Sequence, residues 1–224
     1  MHRLKTLGNV LTTTSRRLFG HRSLIADAKA LADFIDGHSA FVVQKGIYEY
    51  SRARAGHYSK VLFKEQAFLD AVDRSRWSAY PIGLAMVGEL AEGVLRPTAG
   101  EGWKGQLEAL AALVLSVFDR YPLPAALDAR TWSDARGELA RRLQLIGLHP
   151  PKRAFEVADP YVRTYFNLLP IHEELRQSEF PTIRGYLRAT LCNVHEELTK
   201  RIDAPAVAAS LRGPSAVSGD EPGT

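Results

Sequence analysis

Apolar residues recur with a helical period along most of this chain, and no stretch of convincing length shows the two-residue alternation of a β-strand. The most apolar stretch runs from Leu107 to Phe118, LEALAALVLSVF, where only Glu108 and Ser116 are polar. A helix that is apolar on every side favours burial on every side. Its length of about 18 Å is too short to cross a bilayer core of roughly 30 Å. We therefore predict a buried central helix over residues 103–120.

The other apolar positions predict further helices, most of them bounded by Gly, Pro or an N-capping residue. A long first helix begins near Ser23 and ends where Gly56 follows it. Pro81 suits the first turn of another helix, because its φ is already helical. The predicted fold is all-α, a single bundle of about seven to eight helices. The predicted helices cover residues 23–54, 58–75, 81–95, 103–120 and 132–146, a segment beginning at 160, and residues 181–202.

Composition divides the chain into three parts. Residues 1–22 form a basic arm, in which leucines at helical spacing predict an amphipathic helix. Residues 23–202 form the all-helical domain. Residues 203–224 are rich in Ala, Pro, Ser and Gly and bury too little apolar surface to become ordered, so they are predicted to be a disordered tail.

Positive charge is concentrated in the basic arm. The whole chain carries +4, and the arm has five basic and no acidic residues, so subtracting its +5 leaves −1 for residues 23–224. A basic amphipathic helix can bind the headgroup region of an anionic membrane. The same composition also fits a mitochondrial targeting peptide or a terminus without a role. The basic residues of the arm are Arg3, Lys5, Arg16, Arg17 and Arg22.

These features lead to a prediction of location. The single cysteine, Cys192, excludes an internal disulfide and suits a reducing compartment. We predict a cytoplasmic protein that is peripheral to the inner membrane if the arm binds lipid. In a eukaryote the arm instead indicates the mitochondrial matrix.

On the domain itself, basic and aromatic residues cluster between Tyr48 and Lys64. Such a cluster can contact the phosphate of a lipid, a nucleotide or a nucleic acid. It can equally be a solvated helix end, where cations interact favourably with the helix dipole. The candidate anion contacts are Arg52, Arg54, Lys60 and Lys64.

Two pairs of aspartates stand at i, i+3 spacing, which places both carboxylates of a pair on one helix face. The pairs are Asp33 with Asp36 and Asp70 with Asp73. Two such helices facing each other can hold Mg²⁺ and thereby bind a diphosphate. The alternative is that these carboxylates lie on solvated faces beside Lys and Arg.

The chain contains no P-loop, no Gly-x-Ser-x-Gly and no cysteine cluster. The preferred hypothesis is a non-catalytic helical adaptor or regulator without a cofactor, which binds a protein partner and is held at an anionic membrane surface by its arm. The first alternative is a helical enzyme or ligand-binding protein for a phosphorylated or isoprenoid small molecule, acting through the four aspartates. The second alternative, nucleic-acid binding, ranks last because the domain has no overall positive charge.

Overall fold

The structure, a computed structural model, describes residues 23–212. It confirms the all-α bundle: within this range helices dominate and no β-strand occurs apart from an isolated bridge between Ile25 and Ile202. No helix in that range is long and apolar enough to cross a membrane. The helices are α1 (Ala28–Ala40), α2 (Gly46–Ala55), α3 (Ser59–Leu62), α4 (Gln66–Leu95), α5 (Trp103–Phe118), α6 (Ala129–Ile146), α7 (Val162–Asn167), α8 (Glu173–Arg176), α9 (Phe180–Arg201) and α10 (Ala204–Arg212).

The centre of the bundle is α4, not α5. Between Ala79 and Leu95 of α4 no residue is exposed. Helix α5 is present as predicted, but Glu108, Ala112 and Ser116 form an exposed stripe at i, i+4 spacing along it. The prediction of burial on every side is therefore wrong for α5. Alanine explains the error, because its small apolar side chain costs little to leave in water.

Helix α4 also passes through Pro81, which we expected to begin a new helix. The segments 66–75 and 81–95 therefore belong to one helix of 30 residues. Proline lacks the N–H that would bond one turn back, but its fixed φ is compatible with a helix. Burial of the following turns on all sides stabilises the helix strongly enough to keep it continuous.

The first helix is longer than α1 alone, because a π-helical segment, Phe41–Lys45, joins α1 to α2. It begins at Ala28 rather than at Ser23, since the Asp27 side chain accepts a hydrogen bond from the Ala30 N–H at 2.7 Å. It ends as predicted at Gly56, whose φ of +50° favours glycine.

Helix α9 packs against the π-helical segment between α1 and α2, and its two ends lie near opposite ends of residues 23–54. At its start, Arg54 Nη1 donates to Glu179 Oε1 at 3.1 Å. Near its end, His38 Nε2 lies 3.2 Å from Glu197 Oε2. At its last residue, Arg201 Nε donates to the Ser23 carbonyl at 3.2 Å. The two ends of α9 therefore mark the two ends of this side of the bundle.

The predicted disordered tail is wrong for residues 204–212, which form α10. Its Val207 and Ala208 are buried against the core, where α10 packs on α5 and α1. The Asp203 side chain accepts a hydrogen bond from the Ala206 N–H at 3.0 Å, and the Ala28 N–H donates to Ser210 Oγ at 3.1 Å. Packing on the bundle thus provides the stabilisation that the composition of the segment lacks. Residues 213–224 lie outside the described part of the chain.

Candidate functional site

The strongest candidate site is a projection between α2 and α4, residues 52–64, which we call the basic tip. It contains the end of α2, a 3₁₀ turn at Gly56–Tyr58, and α3. Nine of its thirteen residues are exposed, including all three of the turn Gly56–Tyr58, and none is buried. A Cβ built on Gly56 would meet no atom within 4 Å, so the space beside this residue is open.

The basic tip carries +4, from two arginines and two lysines, and contains no acidic residue. Subtracting this charge from the −1 of residues 23–224 leaves −5 for the rest of that range. Arg54 pairs with Glu179 and holds the tip against α9. In contrast, Arg52, Lys60 and Lys64 have no ion-pair partner within the described part of the chain, and all three are exposed. Their charges are available to an external anion.

Two large apolar side chains also lie on the basic tip. Tyr58 is 78% exposed and Val61 is 60% exposed. Beneath them, Phe63 packs edge-on against Tyr48 and Phe68, with ring centroids 5.1 Å apart in each pair. The inner rings therefore support the tip, whereas Tyr58 and Val61 project outward between the cations.

The other predicted anion contacts belong to the basic arm. Arg3, Lys5, Arg16, Arg17 and Arg22 lie outside the described residues, so their predicted role stays a prediction. The chain enters the domain at Ser23, whose carbonyl accepts the hydrogen bond from Arg201.

The first aspartate pair binds side chains of this protein. Arg120 Nη1 donates to Asp33 Oδ1 at 3.0 Å and to Asp36 Oδ2 at 3.2 Å. The hydroxyls of Tyr80 and Tyr121 both donate to Asp36 Oδ1, at 2.7 and 2.9 Å. These contacts tie α1 to α4 and to the chain just beyond α5.

The pKa values around this pair reflect the same contacts. Burial raises the pKa of Asp33, but hydrogen bonds from Lys29 and Arg120 outweigh it and lower the pKa below its usual value. Burial and the Asp36 carboxylate together raise the pKa of Tyr121 to about 12. The tyrosine therefore stays protonated as a donor at neutral pH, and both carboxylates have cationic or hydroxyl partners.

The second aspartate pair is also engaged within the protein. Gln66 Nε2 donates to Asp70 Oδ1 at 2.7 Å, and Arg76 Nη1 lies 3.7 Å from Asp73 Oδ1. In the part of the chain that the structure covers, no group of three or more His, Cys, Asp or Glu side chains is arranged to hold a metal ion. The two pairs thus do not combine into the predicted magnesium centre within residues 23–212, because each pair is engaged by a separate set of side chains.

Sequence reasoning missed a buried polar cluster on α4. Glu89 is 5% exposed and Glu92 is 4% exposed, within the most apolar part of this helix. Lys152 Nζ donates to Glu89 Oε1 at 2.8 Å, while Glu92 accepts from Arg96. The signal was visible, since two glutamates at i, i+3 interrupt an otherwise apolar run. Their partners come from another turn and a distant loop, which the helical pattern does not reveal.

This cluster has a structural role. Arg96 Nη1 also donates to the His149 carbonyl at 2.8 Å, and its Nη2 donates to the Ile146 carbonyl at 3.3 Å. It thereby satisfies the carbonyl of Ile146, the last residue of α6, and the carbonyl of His149 in the loop that follows. The buried charges are paired and hold the loop after α6 against α4.

Comparisons with family models, with curated proteins and with solved structures find no match for this chain. Its function therefore has to be inferred from its own residues and from where the fold places them.

Proposed function

We propose that this protein is a non-catalytic helical adaptor that is held at an anionic membrane surface. The observation that carries the proposal is the composition of the basic tip. Arg52, Lys60 and Lys64 have no ion-pair partner within residues 23–212, and they lie beside the exposed side chains of Tyr58 and Val61. This combination matches the headgroup layer of an anionic membrane. The cations can contact the lipid phosphates, and the exposed apolar side chains can contact the apolar boundary just below them.

The charges of the tip are sufficient for a measurable effect. Each Lys or Arg near an anionic leaflet contributes about 1 kcal/mol of attraction. Because Lys60 and Lys64 have no carboxylate to leave, binding a phosphate breaks no ion pair within the described residues. Tyr58 adds an amphipathic ring of the type enriched at membrane–water interfaces. In this proposal the cations of the basic arm also bind the anionic membrane surface.

The adaptor part of the proposal rests on the pairing of polar side chains with one another inside the domain. Asp33 and Asp36 are engaged by Arg120 and two tyrosines, and Glu89 is paired with Lys152. Such groups connect elements of the bundle and stabilise its shape. In this proposal the domain presents that shape to a protein partner, and the basic regions place it at the membrane.

The two alternatives fit the molecule less well. A diphosphate-binding enzyme needs the four aspartates around one metal, and they are arranged as two separate pairs. A nucleic-acid-binding protein needs a basic face for a long polyanion. Here the rest of residues 23–224 carries −5 beside a compact tip of +4, which suits a local contact better than a track.

Liposome flotation tests the proposal. The full chain is mixed at low and high salt with vesicles of phosphatidylcholine alone or with phosphatidylserine. We expect binding only to anionic vesicles and weaker binding at high salt, because counterions screen the contact. The double variant Lys60→Gln/Lys64→Gln should bind about 30-fold less tightly at low salt, since two contributions of about 1 kcal/mol are lost.

The matched control is Lys104→Gln/Arg212→Gln, which removes the same charge from two exposed residues on α5 and α10. These residues also lack ion-pair partners in residues 23–212, so their loss should leave binding within about twofold of wild type. Equal weakening by both double variants would show that net charge matters and the tip does not. Absence of anionic-vesicle binding by the wild type would refute the membrane proposal altogether.

A further inference from the structure

The two lysines of the basic tip lie about one helical turn apart. Lys60 is in α3, and the turn continues beyond the end of that helix, because the Phe63 N–H donates to the Ser59 carbonyl at 3.0 Å. The Lys64 N–H then donates to the Val61 carbonyl at 2.9 Å. Residues four apart in such a turn face the same side, with Cβ atoms about 6 Å from each other. Both ammonium groups can therefore contact one small polyanion at the same time.

No carboxylate in the described part of the chain neutralises these two lysines. Lys60 and Lys64 have no ion-pair partner within residues 23–212, and both are exposed. Two like charges at i, i+4 repel each other and cost a helix about 0.2–0.5 kcal/mol. An anion between them removes this repulsion and attracts both ammonium groups, so their proximity favours a ligand with more than one negative charge.

Positive charge is confined to the basic tip within the described domain. Residues 23–212 contain 24 basic and 23 acidic residues, a net charge of +1, and subtracting the +4 of the tip leaves −3 for the other residues of that range. Glu49 and Glu65, both exposed, border the tip on either side in the chain. Contact with a broad layer of monovalent anionic lipids extends to such carboxylates, which oppose it. One highly charged headgroup can instead meet the cations alone.

We infer that the basic tip recognises a lipid whose single headgroup carries several phosphates, as in the polyphosphorylated phosphatidylinositols. This inference rests on the proposed function, since it requires that the tip binds an anionic membrane, and it names the class of lipid. When both phosphates belong to one headgroup, the second lysine binds in an intramolecular step at high effective concentration. Monovalent lipids such as phosphatidylserine have to be gathered one at a time.

The exposed apolar side chains of the tip favour a lipid over a soluble inositol phosphate. Tyr58 is 78% exposed and Val61 is 60% exposed, and they stand on either side of Lys60 in the chain. A free inositol phosphate has no apolar surface to cover these side chains. At a membrane they can contact the boundary below the headgroups while the lysines contact the phosphates.

Flotation with charge-matched vesicles tests the lipid preference. The full chain is mixed at low salt with phosphatidylcholine vesicles that contain either phosphatidylserine or phosphatidylinositol bisphosphate, at equal total negative charge. We expect binding to the bisphosphate vesicles to be tighter by about tenfold or more. Lys60→Gln/Lys64→Gln should remove most of this preference. Lys104→Gln/Arg212→Gln should keep it, because the tip is intact.

Calorimetry with soluble inositol trisphosphate separates the headgroup from the bilayer. With vesicle affinity expressed per accessible headgroup, we expect the soluble compound to bind about tenfold less tightly or weaker still, because Tyr58 and Val61 contribute only at a bilayer. The double variant Tyr58→Ser/Val61→Ser should lower the affinity for bisphosphate vesicles towards that for the soluble compound.

The outcomes separate this inference from the proposed function. Equal binding to the two charge-matched vesicles would overturn the inference and leave the membrane adaptor standing. A preference that persists in Lys60→Gln/Lys64→Gln would also overturn it, because headgroup recognition would then lie outside the tip. Soluble inositol trisphosphate bound as tightly as the vesicles would refute the choice of a lipid. Binding to neither kind of anionic vesicle would refute the membrane proposal itself.

Discussion

Helix α4 comes close to the backbone of α1 at Gly83, and this contact allows a sharp test of the packing. A Cβ built there would lie 2.7 Å from the backbone carbonyl oxygen of Ser39 in α1, and 3.1 Å from its carbonyl carbon. Ser39 is fully buried. The substitution Gly83→Ala therefore adds a methyl group to a contact between two helix backbones.

Two opposing effects decide the sign of the change in stability. Alanine is favoured over glycine inside a helix by about 1 kcal/mol. Overpacking a core costs about 1–3 kcal/mol. A backbone atom cannot rotate away as the end of a side chain can, so we expect a cost near the upper part of that range. The net prediction is a loss of about 1–2 kcal/mol in the free energy of unfolding.

The matched control is Gly137→Ala in α6, where an added Cβ would meet no atom within 4 Å. Only the helix propensity acts there, so we expect a gain of about 0.5–1 kcal/mol. The free energy of unfolding of both variants is measured by urea unfolding. The transition is followed by circular dichroism at 222 nm, a wavelength that reports helix content. If Gly83→Ala were as stabilising as Gly137→Ala, the close crossing of α1 and α4 would be refuted.

Two further predictions concern α10 and an exposed ion pair. Val207→Ala removes two buried methyl groups and should lower the free energy of unfolding by about 1.5–2 kcal/mol. Val61→Ala, at a 60% exposed site, should change the free energy of unfolding by less than about 0.5 kcal/mol. Equal effects of the two substitutions in urea unfolding would contradict the packing of α10 on the bundle. Arg136 donates to both oxygens of Asp119, each at 2.7 Å, and thereby lowers the pKa of that carboxyl from its usual 3.8. The stabilisation is therefore present above the usual pKa and lost as pH falls through the lowered one. Carbon-detected NMR titration should show the Asp119 pKa rising towards 3.8 in Arg136→Gln, and an unchanged value would refute the pairing.

At the candidate site, the sequence predicted the cluster of cations in the basic tip but not their ion pairs. The cluster of Arg52, Arg54, Lys60 and Lys64 was visible as a run of cations without acids. The pairing of Arg54 with Glu179 was not visible, because Glu179 is 125 residues away in the chain. Nor was it visible that Lys60 and Lys64 have no ion-pair partner within residues 23–212. Ion pairing depends on distance through space, which a linear pattern does not contain.

The aspartate pairs also show that a sequence pattern does not identify the partner of a side chain. Their i, i+3 spacing correctly places Asp33 and Asp36 within reach of one ligand, and that ligand is Arg120. Spacing along one helix cannot specify whether a metal ion or a guanidinium occupies the facing position. The residue that decides it comes from the chain beyond α5, 84 positions after Asp36.

The sequence by itself determined the helical class, the end of α2 at Gly56, and the concentration of positive charge in two segments. Each of these follows from local chemistry: a periodic apolar pattern, a backbone that only glycine adopts easily, and a count of ionisable groups. Only the tertiary structure decided that α4 occupies the centre, that α10 is ordered, and that Arg54 of the basic tip and Ser23 lie near opposite ends of α9. The reason is that burial and separation depend on which helices pack together, and residues that are neighbours in the fold are far apart in the chain.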